Sequence, residues 1–204
     1  MSLQHKSDKR IAWIMAGLGI WLACLLALAS WYQAHYIHGF TDHNSKFLNA
    51  DHNDKWFKQL ISLLPPKNTQ GRVIQFWQPK CLCNRFALPH SLKNTQIAKT
   101  LGVEHITIIP AHYQADIAAL QALNPNTQLI TLNANQLTDW PASPTVLIEG
   151  PFSRLLYIGP LGYGAFCSQA STGVIEQQLI HMNKGTIRPF HNVVGKGCFC
   201  PWNE

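Results

Sequence analysis

Two C-x-C pairs, Cys81-Leu82-Cys83 and Cys198-Phe199-Cys200, hold the side chains best suited to chemistry in this sequence. A thiolate is both a nucleophile toward disulfides and a soft metal ligand, so closely spaced cysteines point to redox exchange or to metal binding. The first pair follows an apolar run, Arg72-Val73-Ile74-Gln75-Phe76-Trp77, bounded by Gly71 and Pro79. That run reads as a buried strand handing over to a helix. A cysteine at a helix start meets free N–H groups and the positive end of the peptide dipoles, which favour the thiolate. Lys80 beside Cys81 adds a cation acting in the same direction.

Of the six cysteines, Cys24 lies in an apolar stretch, which leaves Cys81, Cys83, Cys167, Cys198 and Cys200 for the rest of the chain. An odd number argues against a purely static disulfide set. Cys81 is the candidate nucleophile and Cys83 the candidate resolving thiol. A disulfide within C-x-C closes a very small ring, and a strained disulfide is easily reduced, which suits an oxidant or isomerase. For the distant pair three readings stay open: a second redox pair relaying electrons to Cys81 and Cys83 with Cys167 as a further partner, a disulfide staple, or a metal site. The metal site would join Cys81, Cys83, Cys198 and Cys200 around copper or zinc. Cu(I) suits few thiolates, whereas zinc knuckles favour C-x₂-C. Apart from that alternative no cofactor is expected.

The elements that must position these thiols lie in an α/β alternation. Strands are expected at 72–77, 105–109, 128–132, 144–149 and 155–159, the last two joined through Gly150-Pro151-Phe152-Ser153. Helices are expected at 82–101, kinked at Pro89, at 113–123, and at 167–182. Before them Trp56, Phe57, Leu60, Ile61 and Leu64 recur at helical spacing, with Asp51 or Asn53 as N-cap and Pro65-Pro66 as the stop. The pattern is that of an α/β sandwich with a mixed sheet.

Residues 11–31 run for 21 positions without a charge, about enough to cross a bilayer as a helix. Lys6, Lys9 and Arg10 precede them, and Trp31, Tyr32 and Tyr36 follow as interfacial anchors, so the N-terminus is expected in the cytoplasm and the domain outside it. Ala27-Leu28-Ala29 also has the form of a signal-peptidase site, and either way the domain is exported. The expected division is a cytoplasmic 1–10, an anchor at 11–31, a linker with a short amphipathic helix at 32–70, the main domain at 71–184, and a cysteine-bearing tail at 185–204 read as a loop. His35, His38, His43 and His52 in the linker form no tight pair on one helix face. The net charge of +6 comes without a clustered basic stripe, so nucleic acid is not expected as a partner.

Phe76-Trp77-Gln78-Pro79-Lys80-Cys81 resembles the Phe-Trp-x-x-Trp-Cys of the thioredoxin-like superfamily, at the same place after a strand. Ser143-Pro144-Thr145-Val146 resembles that superfamily's second mark, a cis-proline opening the hairpin strand beside the cysteines. The likeness covers about 71–184. It implies a thioredoxin-like sandwich with thiol–disulfide exchange against protein thiols or disulfides, in which Trp77, Ser143 and Pro144 border the substrate; the alternatives are a copper- or zinc-binding module serving metalloprotein assembly and a non-catalytic scaffold that uses the fold for protein contacts. The extra segment 124–142 is similar to that of membrane-tethered bacterial thioredoxins of the cytochrome-maturation type, and this implies a periplasmic domain on an inner-membrane anchor. A peroxiredoxin is unlike this chain, because Gln78 stands where that family has threonine. Cys83 comes one residue early, Lys80 replaces tryptophan, and Gln75 replaces the buried acid of many thioredoxins.

Overall fold

The structure is a computed structural model that describes residues 2–42, 44–164, 167, 169–170, 172–186 and 188–202. It divides into two compact units, residues 1–36 and 37–204. The first is a single helix, α1 (Ser2–Tyr36), whose stretch Ala12–His35 is long and apolar enough to cross a membrane. At 1.5 Å per residue those 24 residues span about 36 Å, against a hydrocarbon core of about 30 Å. Large apolar side chains such as Trp13, Leu22 and Leu28 are exposed along it.

The second unit opens with β1 (Ile37–Gly39), a 3₁₀ turn at Ser45–Leu48 and α2 (Ala50–Ser62). The N-cap of α2 is Asn49, not Asp51 or Asn53; its side chain accepts from the N–H groups of Asp51 and His52. The expected hydrated linker is therefore partly structured. Phe40 and Phe47 are buried in the core, which holds this segment against the domain; His43 lies outside the described residues.

Next come β2 (Arg72–Phe76), α3 (Leu82–Thr100) with Pro89 inside it, and β3 (Glu104–Pro110). The helix expected at 113–123 is a 3₁₀ stretch, Ala111–Asp116, followed by the shorter α4 (Ile117–Leu123). Then follow β4 (Gln128–Leu132), β5 (Thr145–Glu149), β6 (Leu155–Pro160), β7 (Gly162–Tyr163) and β8 (Gln169–Ala170). The last helix, α5 (Thr172–Asn183), begins later than residue 167; positions 168 and 171 lie outside the described residues. The tail is not a bare loop. It contributes β9 (Phe190–His191) and β10 (Lys196–Cys198).

The main sheet runs β4-β3-β2-β5-β6-β9. Strands β2, β3 and β4 are parallel, β5 and β6 turn antiparallel, and β9 lies parallel to β6. This mixed sheet, with α3 between β2 and β3 and a hairpin returning beside β2, is the thioredoxin-like α/β arrangement expected from the sequence. Because side chains alternate across a strand, Ile74, Phe76, Ile106, Ile108 and Leu147 share one face. They join Trp56, Phe57 and Leu60 of α2 and, from the tail, Val193 and Phe199 in one core. Phe199 separates the two tail cysteines, so the tail is fixed partly by apolar burial.

The start of β2 carries buried charge. Arg72 and Glu149 are each 1% exposed and 3.6 Å apart. Arg72 also meets Glu104 at 3.1 Å and Lys67 meets Glu149 at 3.1 Å. The buried Glu149 therefore has two cationic partners, without which desolvation would strongly disfavour its burial. Strand β2 has its charges at this end and its cysteines just beyond the other.

Candidate functional site

Cys81 is the N-cap of α3, with extended backbone angles, and its carbonyl accepts from the N–H of Asn84 at 3.1 Å. Its sulfur is bonded to Cys200, and that of Cys83 to Cys198. The Cα–Cα separations are 6.0 and 5.3 Å, within the ordinary range for disulfides. The two C-x-C segments thus run antiparallel, joined by an outer rung (81–200) and an inner rung (83–198). The ring within Cys81-Leu82-Cys83 that the sequence suggested is not formed, because the tail supplies a separate partner to each cysteine.

Accessibility separates the four sulfurs. Cys83 and Cys198 are fully buried, and Cys81, covered by the tail, is 4% exposed. Cys200 alone of the four is half-buried. The sulfurs of Cys200 and Cys83 lie 3.8 Å apart across the two rungs. Those of Cys81, Cys83 and Cys200 all lie within 4.8 Å of one another.

Backbone pairing holds the tail in place. β10 pairs antiparallel with β1, placing Ile37 opposite Cys198. Ser143 and Cys200 form an antiparallel bridge, and the N–H of Gly164 donates to the carbonyl of Lys196 at 3.0 Å. Trp202 then packs on Trp140 at 4.7 Å and edge-on to Phe76 at 6.0 Å, with its indole N–H bonded to the carbonyl of Pro141. Trp140, whose indole N–H donates to Ala134, meets Phe76 at 5.6 Å.

The Ser143–Pro144 peptide bond is cis. Ser143 is fully buried, and its hydroxyl accepts from the N–H of Gln78 at 3.0 Å. That hydroxyl also lies 3.2 Å from the amide nitrogen of Asn84, which donates to the carbonyl of Gln78 at 2.6 Å. Asn84 thereby ties the turn before Cys81 to the first turn of α3. Sequence reasoning passed it over; its position three residues after the N-cap was the available signal. The sulfur of Cys81 lies 3.8 Å from the carbonyl oxygen of Ser143.

The other sequence candidates are placed as follows. Trp77 is buried and its N–H donates to the carbonyl of Ile108 at 2.9 Å. The ammonium of Lys80 lies 5.6 Å from the centre of the Tyr113 ring. Cys167 is a buried free thiol in the left-handed backbone region (φ 49°), and its S–H donates to the carbonyl of Cys83 at 3.7 Å. Burial pushes that thiol up to about 11, so it stays protonated at neutral pH. Gln75, at the position of the missing acid, accepts from the hydroxyl of Ser91 at 2.9 Å.

The arrangement can undergo thiol–disulfide exchange, and its reduced form offers three converging thiolates to a soft metal. Zinc and Cu(I) both accept sulfur; three converging thiolates fit the lower coordination number of Cu(I) better.

Among solved structures the chain is similar to a hypothetical protein, SMc02350, from Sinorhizobium meliloti 1021. The identity is 15% and the TM-score 0.54, over 67% of this chain and 81% of that one. It is similar to an uncharacterized conserved protein from Geobacillus kaustophilus at 15% identity and a TM-score of 0.51, over 66% and 78% of the two chains. Likenesses at this identity show the fold alone. No curated protein matches the chain significantly. A family model does match, over residues 52–202, and these take in most of α2, the whole six-stranded sheet and all four bonded cysteines. The chain therefore belongs to the family described as a domain of unknown function, DUF6436.

Proposed function

We propose that this protein is a membrane-anchored thiol–disulfide exchange protein whose domain works outside the cytoplasm. The observation that carries this reading is the position of Cys81: it caps α3 and is bonded to Cys200, whose sulfur lies 3.8 Å from a second disulfide. A thiol at a helix start is a good nucleophile when reduced and a good leaving group when oxidised, because both roles need a stabilised thiolate. The uncharged α1 stretch after Lys6, Lys9 and Arg10 supports an anchor with its N-terminus in the cytoplasm, which puts the domain in an oxidising compartment such as the periplasm.

In the reduced protein the Cys81 thiolate attacks one sulfur of a substrate disulfide and expels the other as a thiolate, forming a mixed disulfide. The Cys200 thiolate then attacks the Cys81 sulfur, restoring the outer rung and releasing the second substrate thiolate. Two electrons pass from protein to substrate; a dithiol that attacks the half-buried Cys200 of the oxidised outer rung, with Cys81 leaving as the thiolate, is oxidised in turn. The resolving role suggested for Cys83 passes to Cys200, because Cys83 is bonded to Cys198.

Equilibration of the full chain with thiol buffers, followed by alkylation, tests the reading. An exchange protein has a rung that titrates between about −270 and −120 mV, whereas structural disulfides lie below about −300 mV. Two rungs below that limit would make the tail a staple and end the proposal. A second reading, Cu(I) binding by the reduced Cys81, Cys83 and Cys200, is favoured by their sulfurs lying within 4.8 Å of one another. One equivalent of Cu(I) retained by the reduced chain and lost in Cys200→Ser supports it.

A further inference from the structure

The outer rung is reachable from solvent through Cys200, whereas both sulfurs of the inner rung are fully buried. A reductant the size of a protein dithiol cannot reach a sulfur with no exposed surface. The inner rung nevertheless has a sulfur neighbour: Cys200 lies 3.8 Å from Cys83. We propose that Cys200 is the transfer sulfur of the cluster, taking the attack from outside and passing reduction inward to Cys83–Cys198. The proposal rests on the exchange reading and adds an order of events to it.

The steps balance with an external dithiol as the electron source. One dithiol thiolate attacks the Cys200 sulfur, the Cys81–Cys200 bond breaks, and Cys81 leaves as a thiolate at the start of α3. The second thiol of the dithiol, once deprotonated, attacks its own sulfur in the mixed disulfide, which releases Cys200 as a thiolate and the dithiol as a cyclic disulfide. The Cys200 thiolate attacks the Cys83 sulfur, the Cys83–Cys198 bond breaks, and Cys198 leaves as a thiolate and takes a proton. A Cys83–Cys200 bond now exists, again open to solvent through Cys200. A second dithiol resolves it in the same way. Two dithiols deliver four electrons, and four thiols result.

Three observations support Cys200 over its neighbours. Its backbone is paired with Ser143 by two main-chain hydrogen bonds that do not involve its sulfur, and these hold Cys200 beside Cys83 independently of the outer rung. Cys81 could reach Cys83 only by closing the small Cys81-Leu82-Cys83 ring, whose geometry departs from that of an ordinary disulfide. Cys167 is bonded to the carbonyl of Cys83 and held protonated by burial, and a thiol is not the attacking species.

The test compares Cys81→Ser with Cys200→Ser in the full chain in detergent micelles, both carrying Cys24→Ser. Each variant lacks the outer rung and keeps the inner one, so they share the stability lost with it and differ in which thiol remains. After a pulse of dithiothreitol and alkylation, disulfides are mapped by peptide mass. In Cys200→Ser the Cys83–Cys198 rung should persist at least tenfold longer than in the otherwise unchanged protein. In Cys81→Ser it should be lost at about the unchanged rate, and a Cys83–Cys200 peptide pair should appear on the way. Equal loss in the two variants, or no Cys83–Cys200 pair in Cys81→Ser, overturns the transfer role while leaving exchange at the outer rung standing. Failure of dithiothreitol to reduce either rung of the native protein overturns both readings.

Discussion

The N–H of Ser143 donates to the carbonyl of Cys200 at 2.9 Å, and the N–H of Cys200 donates back to the carbonyl of Ser143 at 2.8 Å. The tail is thus docked by backbone at the residue before the cis-proline, and the Ser143 side chain is free for other work. Its hydroxyl serves the N–H of Gln78 and the amide of Asn84. Ser143→Ala leaves the N–H of Gln78 without its acceptor and should cost about 1–3 kcal/mol, the usual penalty for an orphaned buried donor. Denaturant midpoints measure the loss. Both rungs should still form, because the bridge to Cys200 is made by main chain alone.

The two rungs should stabilise non-additively. Either one closes a loop of more than 110 residues, with separations of 119 and 115. Once one is in place, the other closes only a ring of six residues, three from each C-x-C segment. Chain-entropy reasoning gives about 5 kcal/mol for the long loop and about 2 kcal/mol for the short ring. Removing one rung should therefore cost about 2 kcal/mol and removing both about 7 kcal/mol. Denaturant unfolding of Cys200→Ser, Cys198→Ser and the double variant checks this, and two single losses near 5 kcal/mol would contradict it.

His105 predicts an acid-sensitive fold. The residue lies on β3 with its Nδ1 2.7 Å from the hydroxyl of Thr127, and burial lowers its pKa from 6.5 to about 3. The unfolded chain therefore takes up this proton first as pH falls. Stability from this group is complete above pH 6.5 and declines by about 1.4 kcal/mol per pH unit below it, levelling near pH 3. His105→Gln should remove that slope. Unfolding free energies of both proteins at pH 7.5 and 5.5 test it; a difference between them that does not change with pH would refute the assignment.

Trp202 reports on the tail. Packed at a tilt on Trp140 and edge-on to Phe76, it is partly screened from water. Reduction of both rungs should loosen this packing, with a red shift in tryptophan emission that Trp202→Phe largely abolishes. The substitution keeps an aromatic ring but removes the indole N–H that binds the carbonyl of Pro141. A loss of about 1 kcal/mol is expected, in line with one hydrogen bond.

The sheet was legible in the sequence because its strands are continuous apolar runs with strong end signals, as in residues 72–77 between Gly71 and Pro79. The tail was not. β10 has three residues, two of them Lys196 and Gly197, with no alternation to read, and its partner β1 is equally short. Its position comes from contacts distant in sequence: Phe199 in the core, Cys200 on Ser143, and Ile37 opposite Cys198. Two identical C-x-C spacings also fit several pairings, and only the antiparallel approach of the tail selects 81 with 200 and 83 with 198. α4 came out shorter than its pattern because Ala111–Asp116 coils as a 3₁₀ segment after Pro110.

The rungs join the N-cap and first turn of α3 to β10 and the residues just after it, so most of the α/β domain forms a covalently closed circuit. A protease cutting once anywhere between 83 and 198 would sever the main chain without separating the pieces. They would migrate together in a non-reducing gel and part only after thiol treatment. In its oxidised form the domain can survive a break in its backbone; in its reduced form the same break would shed the C-terminal fragment. The thiol status of four side chains thus sets how long a nicked molecule lasts.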